Sequence, residues 1–191
     1  MSTTLVPLSA MFGSLLGGVL AKYGRKKALI IIDIIGIIGV LLCILSLLTK
    51  GITPMYLGRV IIGLTVGLNT TLVPLYIKEM SPSEMSGKTG SFNQLFVTLG
   101  VFCTSLFGTT LGDAGKNNRI PALYIMFMFP IVLLVFRTFM LLTRYDFETP
   151  NYYMIKRNFI LAKEVLERLY TKKEARKQLE ELKEEIGEGE N

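Results

Sequence analysis

Four ionisable residues stand inside or at the ends of long apolar runs: Asp33, Arg59, Glu79 and Arg137. A charge at membrane depth is costly, so such residues face a partner, a polar cavity or the lipid headgroups. Asp33 lies about two helical turns beyond Lys26 and Lys27 and can pair back to them. Arg59 begins one turn inside its run, within snorkelling reach of the outer surface. Glu79 closes the same run beside Ser81 and Pro82, as an interface charge. Arg137 has no acid in its own run, so it must snorkel or meet a lipid phosphate or a carboxylate on another helix or another chain. Asp33 and Arg137 are therefore read as partner or lipid contacts. The remaining chemistry is hydrogen bonding. Asn93 and Gln94 lie in the fourth run, with Gln94, Val97, Thr98 and Val101 on one helical face. Asn69 and Thr70 lie mid-way along the run before it. Such groups either glue helices together or line a cavity that hydrogen-bonds a solute's hydroxyls.

Composition removes other chemistries. The chain has no histidine, which excludes Ser-His-Asp and Cys-His arrangements and histidine-bearing zinc or haem sites. No metal centre, no cofactor and no enzymatic nucleophile with a base is expected. Cys43 and Cys103 both sit in apolar runs and read as buried free thiols. Residues 151–191 hold nine Lys/Arg and nine Glu, so the net charge of +6 belongs to the rest of the chain. No concentrated basic face marks a nucleic-acid partner.

The elements that must hold these residues are membrane helices. Half of the 191 residues are apolar and 19% are charged, and the mean hydropathy is +0.46. A soluble domain of this size does not combine these values; the partner they imply is a lipid bilayer. Five runs, about residues 5–21, 28–48, 55–77, 89–111 and 122–143, are long enough to cross one. Lys22, Arg25, Lys26 and Lys27 follow the first run, and only Lys50 follows the second. Lys78 and Lys88 border the next link and Lys116 and Arg119 the one after, which discriminates little, but Arg144, Lys156 and Arg157 restore the bias. This predicts the N-terminus outside and the tail inside. Plasma, vacuolar and mitochondrial inner membranes fit the pattern equally. Gly13/Gly17 and Gly63/Gly67 are GxxxG pairs, signs of close helix packing.

The division expected is a five-helix bundle over 1–148 and a helical tail over 149–191. From Tyr152 to Tyr170, Ile155, Phe159, Ala162, Leu166 and Leu169 recur at helical spacing, predicting one amphipathic helix on the membrane surface or against the span ends. A weaker helix is predicted over 172–186, with Glu184, Glu185 and Glu188 fraying its end.

Five segments then carry a resemblance: G-G-V-L-A-K-Y-G-R-K-K (Gly17 to Lys27), Y-L-G-R-V-I-I-G-L-T-V-G-L (Tyr56 to Leu68), V-P-L-Y-I-K-E-M-S-P (Val73 to Pro82), G-S-F-N-Q-L-F-V-T-L-G (Gly90 to Gly100) and F-E-T-P-N-Y-Y-M-I (Phe147 to Ile155). In this order they resemble the sugar-porter family of the major facilitator superfamily. The resemblance implies an all-α fold of two six-helix bundles moving sugars by alternating access, of which these residues supply helices two to six and the start of a cytosolic helical region. It also implies sugar binding at Gln94, and a gating or supporting network at Arg25, Arg59, Glu79 and Glu148. The family pattern breaks at three latch positions, where Ala21 stands for an aspartate, and Ser86 and Asn151 each for an arginine.

These losses predict that the surviving charges are left uncompensated. With one incomplete bundle in view, they lead to the expectation of a transport-inactive accessory subunit buried against other membrane proteins. The alternatives are a half-transporter that moves hexose-like sugars after pairing with another half, or a fragment of a full-length porter.

Overall fold

The computed structural model describes residues 4–49, 51–82, 85–113, 119–170 and 174–180. Their architecture is helical. Five long helices come first: α1 (Leu5–Ala21), α2 (Arg25–Thr49), α3 (Ile52–Met80), α4 (Ser86–Asp113) and α5 (Arg119–Thr143). Two short ones follow, α6 (Pro150–Ile155) and α7 (Phe159–Leu169), and a helical stretch over 174–180. Four of the predicted spans, in α2 to α5, are long and apolar enough to cross a membrane; α1, at 17 residues, is shorter and reaches about 25 Å, the lower limit for a crossing.

Small residues set the packing. Without a hydrophobic force between helices in lipid, close backbone approach and polar contacts decide which faces meet. The GxxxG faces of α1 and α3 meet each other: a Cβ on Gly63 would strike Ser9, and one on Gly67 the Ala10 carbonyl. Thr71 adds a hydroxyl donated to the Ser14 carbonyl across this seam at 3.3 Å. α2 lies against the other side of α3 and also carries α5. Ala21, Ala28, Leu29, Ile32, Leu68, Leu72 and Leu141 form the buried core where α1, α2, α3 and α5 converge.

The outward faces of these helices present leucine, isoleucine and phenylalanine, as expected of surfaces solvated by acyl chains. α4 is different, because it touches its neighbours lightly. Over residues 86–109 only Ser86, Thr89 and Asn93 are even half-buried.

The tail corrects two expectations. The single amphipathic helix predicted from Tyr152 to Tyr170 is broken into α6 and α7, because Arg157 adopts a left-handed backbone (φ 57°) and Asn158 caps α7, accepting the Leu161 N–H at 3.3 Å. Ala162, Val165 and Leu166 of α7 are buried, whereas Ile155 and Phe159 of the expected apolar line are exposed. Of the second predicted tail helix, the described part is 174–180; Glu184, Glu185 and Glu188 lie outside the described residues. The two cysteines are free, Cys43 buried as expected and Cys103 exposed on α4, against expectation.

Candidate functional site

Two sites emerge from the residues singled out above, an ionic network at the end of the bundle where the chain leaves α5 and a polar stripe on α4.

The network begins at the turn between α1 and α2. Gly24 holds φ 122°, a conformation other residues rarely adopt, and a Cβ there would lie 2.8 Å from Glu148 Oε1. This lets the Glu148 carboxylate seat on the first turn of α2, accepting the Lys26 N–H at 2.9 Å and the Lys27 N–H at 3.1 Å. A carboxylate satisfying free N–H groups at the positive end of a helix is a favourable arrangement. Beside it Lys26 Nζ donates to Asp146 at 2.7 Å, a contact that holds the Asp146 carboxyl below its usual range, the Lys26 charge adding to the effect. The sequence offers Lys26 as a partner for Asp33 and does not single out Asp146, although Asp146 stands two residues before Glu148.

Arg25 turns the other way. Its Nε and Nη2 both donate to Glu79 Oε1, at 3.2 and 2.9 Å, and its Nη1 to the Ala21 carbonyl at 3.1 Å. The pair is almost fully enclosed, with side-chain exposures of 9% and 4%. The expectation that the lost latch charges leave the survivors uncompensated is corrected for Arg25 and Glu79, which pair with each other, while the Glu148 carboxylate is met by the main-chain N–H groups of Lys26 and Lys27. Ala21, the first substituted position, contributes its backbone oxygen. Ser86 and Asn151 are half-buried at the starts of α4 and α6, and the second oxygen of Glu79 is buried with no hydrogen-bond partner.

Arg59 does not join this network. It lies 20 residues before Glu79 on the same helix, about 30 Å away along its axis, and is half-buried near the far end. Asp33 does not pair back to Lys26 or Lys27 either. Its carboxylate, 0% exposed, is held by Arg137 through both Nε (3.0 Å) and Nη2, and by the Thr138 hydroxyl at 3.0 Å. Of the partners open to Arg137, the one present is thus a carboxylate on another helix of its own chain. The contacts Gly36 with Leu134, Asp33 with Arg137, and Gly24 with Glu148 run in opposite order along the two segments, an antiparallel seam between α2 with the turn before it and α5 with the stretch after it.

On α4, Gln94 and Thr98 are exposed and Asn93 is half-buried. The Thr98 hydroxyl donates to the Gln94 main-chain carbonyl at 2.9 Å. Asn69 on α3 donates Nδ2 to the Thr65 carbonyl at 2.9 Å, and its Oδ1 is buried without a partner. Among the described residues no hydrogen bond joins Asn69 to Gln94. No group of three or more His, Cys, Asp and Glu that could hold a metal occurs among the described residues.

A membrane bundle whose α1–α3 and α2–α3 pairs pack through small residues, tied at one end by Arg25, Glu79 and Glu148, is a major-facilitator architecture. The solved chain of the xylose transporter XylE from E. coli, in a partially occluded inward-open conformation, superposes with a TM-score of 0.84 at 22% identity, covering 98% of this chain and 48% of that one. The family described as "Sugar (and other) transporter" matches residues 1–191, and the chain belongs to it. Hexose transporter 1 of Toxoplasma gondii is 33% identical over 175 residues, which cover 87% of this chain and 30% of that protein. The glucose transporter GlcP of Staphylococcus epidermidis is 33% identical over 190 residues, 96% of this chain and 40% of the relative. The facilitated glucose transporter member 3 of Oryctolagus cuniculus is 28% identical over 190 residues, 97% and 36% respectively. The chain thus spans between 30% and 40% of the length of these curated relatives. Its members are transporters, not enzymes, and this chain is an integral membrane protein.

Proposed function

We propose that this bundle forms one wall of a hexose pathway, completed by further helices of the same or another polypeptide. The observation that carries this reading is the state of α4: over residues 86–109 it is exposed on nearly all sides and presents Gln94 and Thr98, polar groups that no helix among the described residues covers. An amide offers both a donor and an acceptor, the combination that a sugar's vicinal hydroxyls match. That relatives named as hexose and glucose transporters align over most of this chain supports the same class of solute. The paired ionic network supports a bundle that keeps its family's end structure despite the substitutions at Ala21, Ser86 and Asn151. The tail end holds Arg25, Lys26, Lys27, Arg144 and Lys156, so this end faces the cytosol or its topological equivalent, and the N-terminus of α1 the opposite side.

One observation favours a second reading, an accessory subunit without transport. Glu79 Oε2 is buried and unpartnered beside the family's latch, where Ser86 offers no charge. An assembly that never gates would tolerate this. Reconstitution of the chain with its complementary helices separates the two. Saturable hexose uptake that is lost in Gln94→Ala supports the pathway; a stable complex with no uptake supports the accessory reading.

A further inference from the structure

Among the described residues four buried side-chain polar atoms have no hydrogen-bond partner: Asn69 Oδ1, Tyr76 Oη, Glu79 Oε2 and Thr149 Oγ1. Three of the four belong to the tail end of the bundle, around the start of α2. Glu79 is tied to Arg25 through Oε1 alone, and its side chain is 4% exposed. Tyr76 stands one turn earlier on the same face of α3, packed against the core cluster that includes Ala21 and Ala28. Thr149 follows Glu148, whose carboxylate seats on the Lys26 and Lys27 N–H groups, and α6, which Thr149 begins, touches α3. The Tyr76 hydroxyl lies within electrostatic reach of Glu148.

Thr149 is the clearest case. It is the N-cap of α6, where a threonine hydroxyl ordinarily accepts an N–H of the first turn. Here it makes no such cap, and the residue is 0% exposed. A buried polar group left unbonded carries its full desolvation cost, so the three atoms call for a shared partner. Their donors and acceptors match one small molecule. Glu79 Oε2 only accepts, while the Tyr76 and Thr149 hydroxyls each donate once and also accept. A water can donate to Glu79, accept from Tyr76 and bond Thr149 in either sense, which makes the three bonds usual for a buried water. An anion would meet the Glu79 and Glu148 carboxylates, and Arg25 already neutralises Glu79, which leaves no charge there for a cation to balance.

We infer that the tail end encloses a bound water bridging Tyr76, Glu79 and Thr149, which fastens the start of the α6–α7 hairpin to α3. The far end of the hairpin is fastened by Tyr170, whose hydroxyl donates to the Met80 carbonyl at 2.7 Å. The hairpin is therefore held to α3 at both ends. The water meets the second Glu79 oxygen whether or not the bundle carries a sugar.

The test uses the whole chain in detergent micelles, with the near-isosteric variants Tyr76→Phe and Thr149→Val and the two combined. Deleting a hydroxyl that bonds nothing is neutral or stabilising, whereas deleting one that holds an enclosed water destabilises, so the sign decides. Each single variant should raise the unfolding equilibrium constant about five-fold. The double variant should raise it by clearly less than the product, because the first deletion already loosens the water the second group shares. X-ray hydroxyl-radical labelling, which oxidises side chains touching bound water, should mark the Tyr76 ring in the parent and lose the mark in Thr149→Val. Either single variant as stable as the parent or more so overturns the inference, as do effects that simply multiply or a Tyr76 ring left unmarked. So does a parent stability that rises with sodium or potassium at constant ionic strength, which gives the site to a cation.

Discussion

Asp33 shows what a buried charge in this bundle costs and what offsets it. The carboxylate is fully enclosed, and Arg137 with Thr138 supplies three hydrogen bonds to it. Removing one member leaves an unpaired charge in a low-dielectric setting, an effect of about 3–5 kcal/mol, whereas replacing both with apolar groups of similar size is close to neutral. Asp33→Leu is therefore expected to lower the chain's unfolding free energy in detergent by roughly that amount. Arg137→Met should cost more, because it strands the fully enclosed Asp33 carboxylate, whereas the Arg137 that Asp33→Leu leaves behind is 32% exposed and can snorkel. The double variant should recover most of the loss, which a double-mutant cycle measures directly. The pairing was not legible in the sequence, since 104 residues separate the partners and Lys26 and Lys27 lie nearer to Asp33 along the chain. Asp146 gives the contrasting case. Its folded pKa lies below the usual 3.8, so its contribution is present above that value and is lost only as pH falls through the lowered one. Asp146→Asn should therefore lower stability slightly across the neutral range and converge with the parent at acid pH, below the lowered pKa, where the parent carboxyl is protonated as well.

At the scale of elements, the seams that small residues define were readable, and the way the tail breaks was not. The GxxxG spacing announced close packing, while only the fold shows that α1 and α3 use their two motifs on each other. Gly63→Val forces a branched side chain into Ser9 and should weaken the α1–α3 seam by about 1–3 kcal/mol or more. Gly18→Ala, where a Cβ meets nothing within 4 Å, should be neutral or slightly stabilising. Comparing the two by thermal unfolding in detergent separates contact loss from helix propensity. In the tail, helical spacing continues through Lys156, Arg157 and Asn158, so periodicity alone gives one helix; the left-handed turn at Arg157 and the Asn158 cap have no signature in apolar spacing. Burial, with Glu174 adding to it, raises the Tyr170 pKa, so docking of α7 on Met80 is fully present below the ordinary tyrosine value of 10.0 and is lost as pH rises through the raised one. Tyr170→Phe should cost about 1 kcal/mol at neutral pH. Hydrogen exchange of residues 159–169 reports it, protection falling in the variant and, for the parent, only at strongly alkaline pH.

For the whole molecule, family and fold were legible because five motifs occur in order, each fixed by a physical demand: the positive φ at Gly24, the carboxylate of Glu148 on α2, the small faces of α1 and α3. Less legible was whether the substituted latch still holds. Counting charges at Ala21, Ser86 and Asn151 pointed to a failed network, but Arg25 reaches Glu79 directly and takes the Ala21 carbonyl as well, a rearrangement that only the geometry of the α1–α2 turn reveals. What that end of the bundle serves is decided on α4, where Gln94 waits on an open face. The most direct measurement is uptake of labelled hexose into proteoliposomes holding this chain with its complementary helices, parent against Gln94→Ala. The account predicts saturable uptake that falls by about ten-fold or more in the variant, the loss of one or two hydrogen bonds to substrate, with circular dichroism unchanged. Uptake that Gln94→Ala leaves intact, or no hexose uptake by the assembled parent, contradicts it.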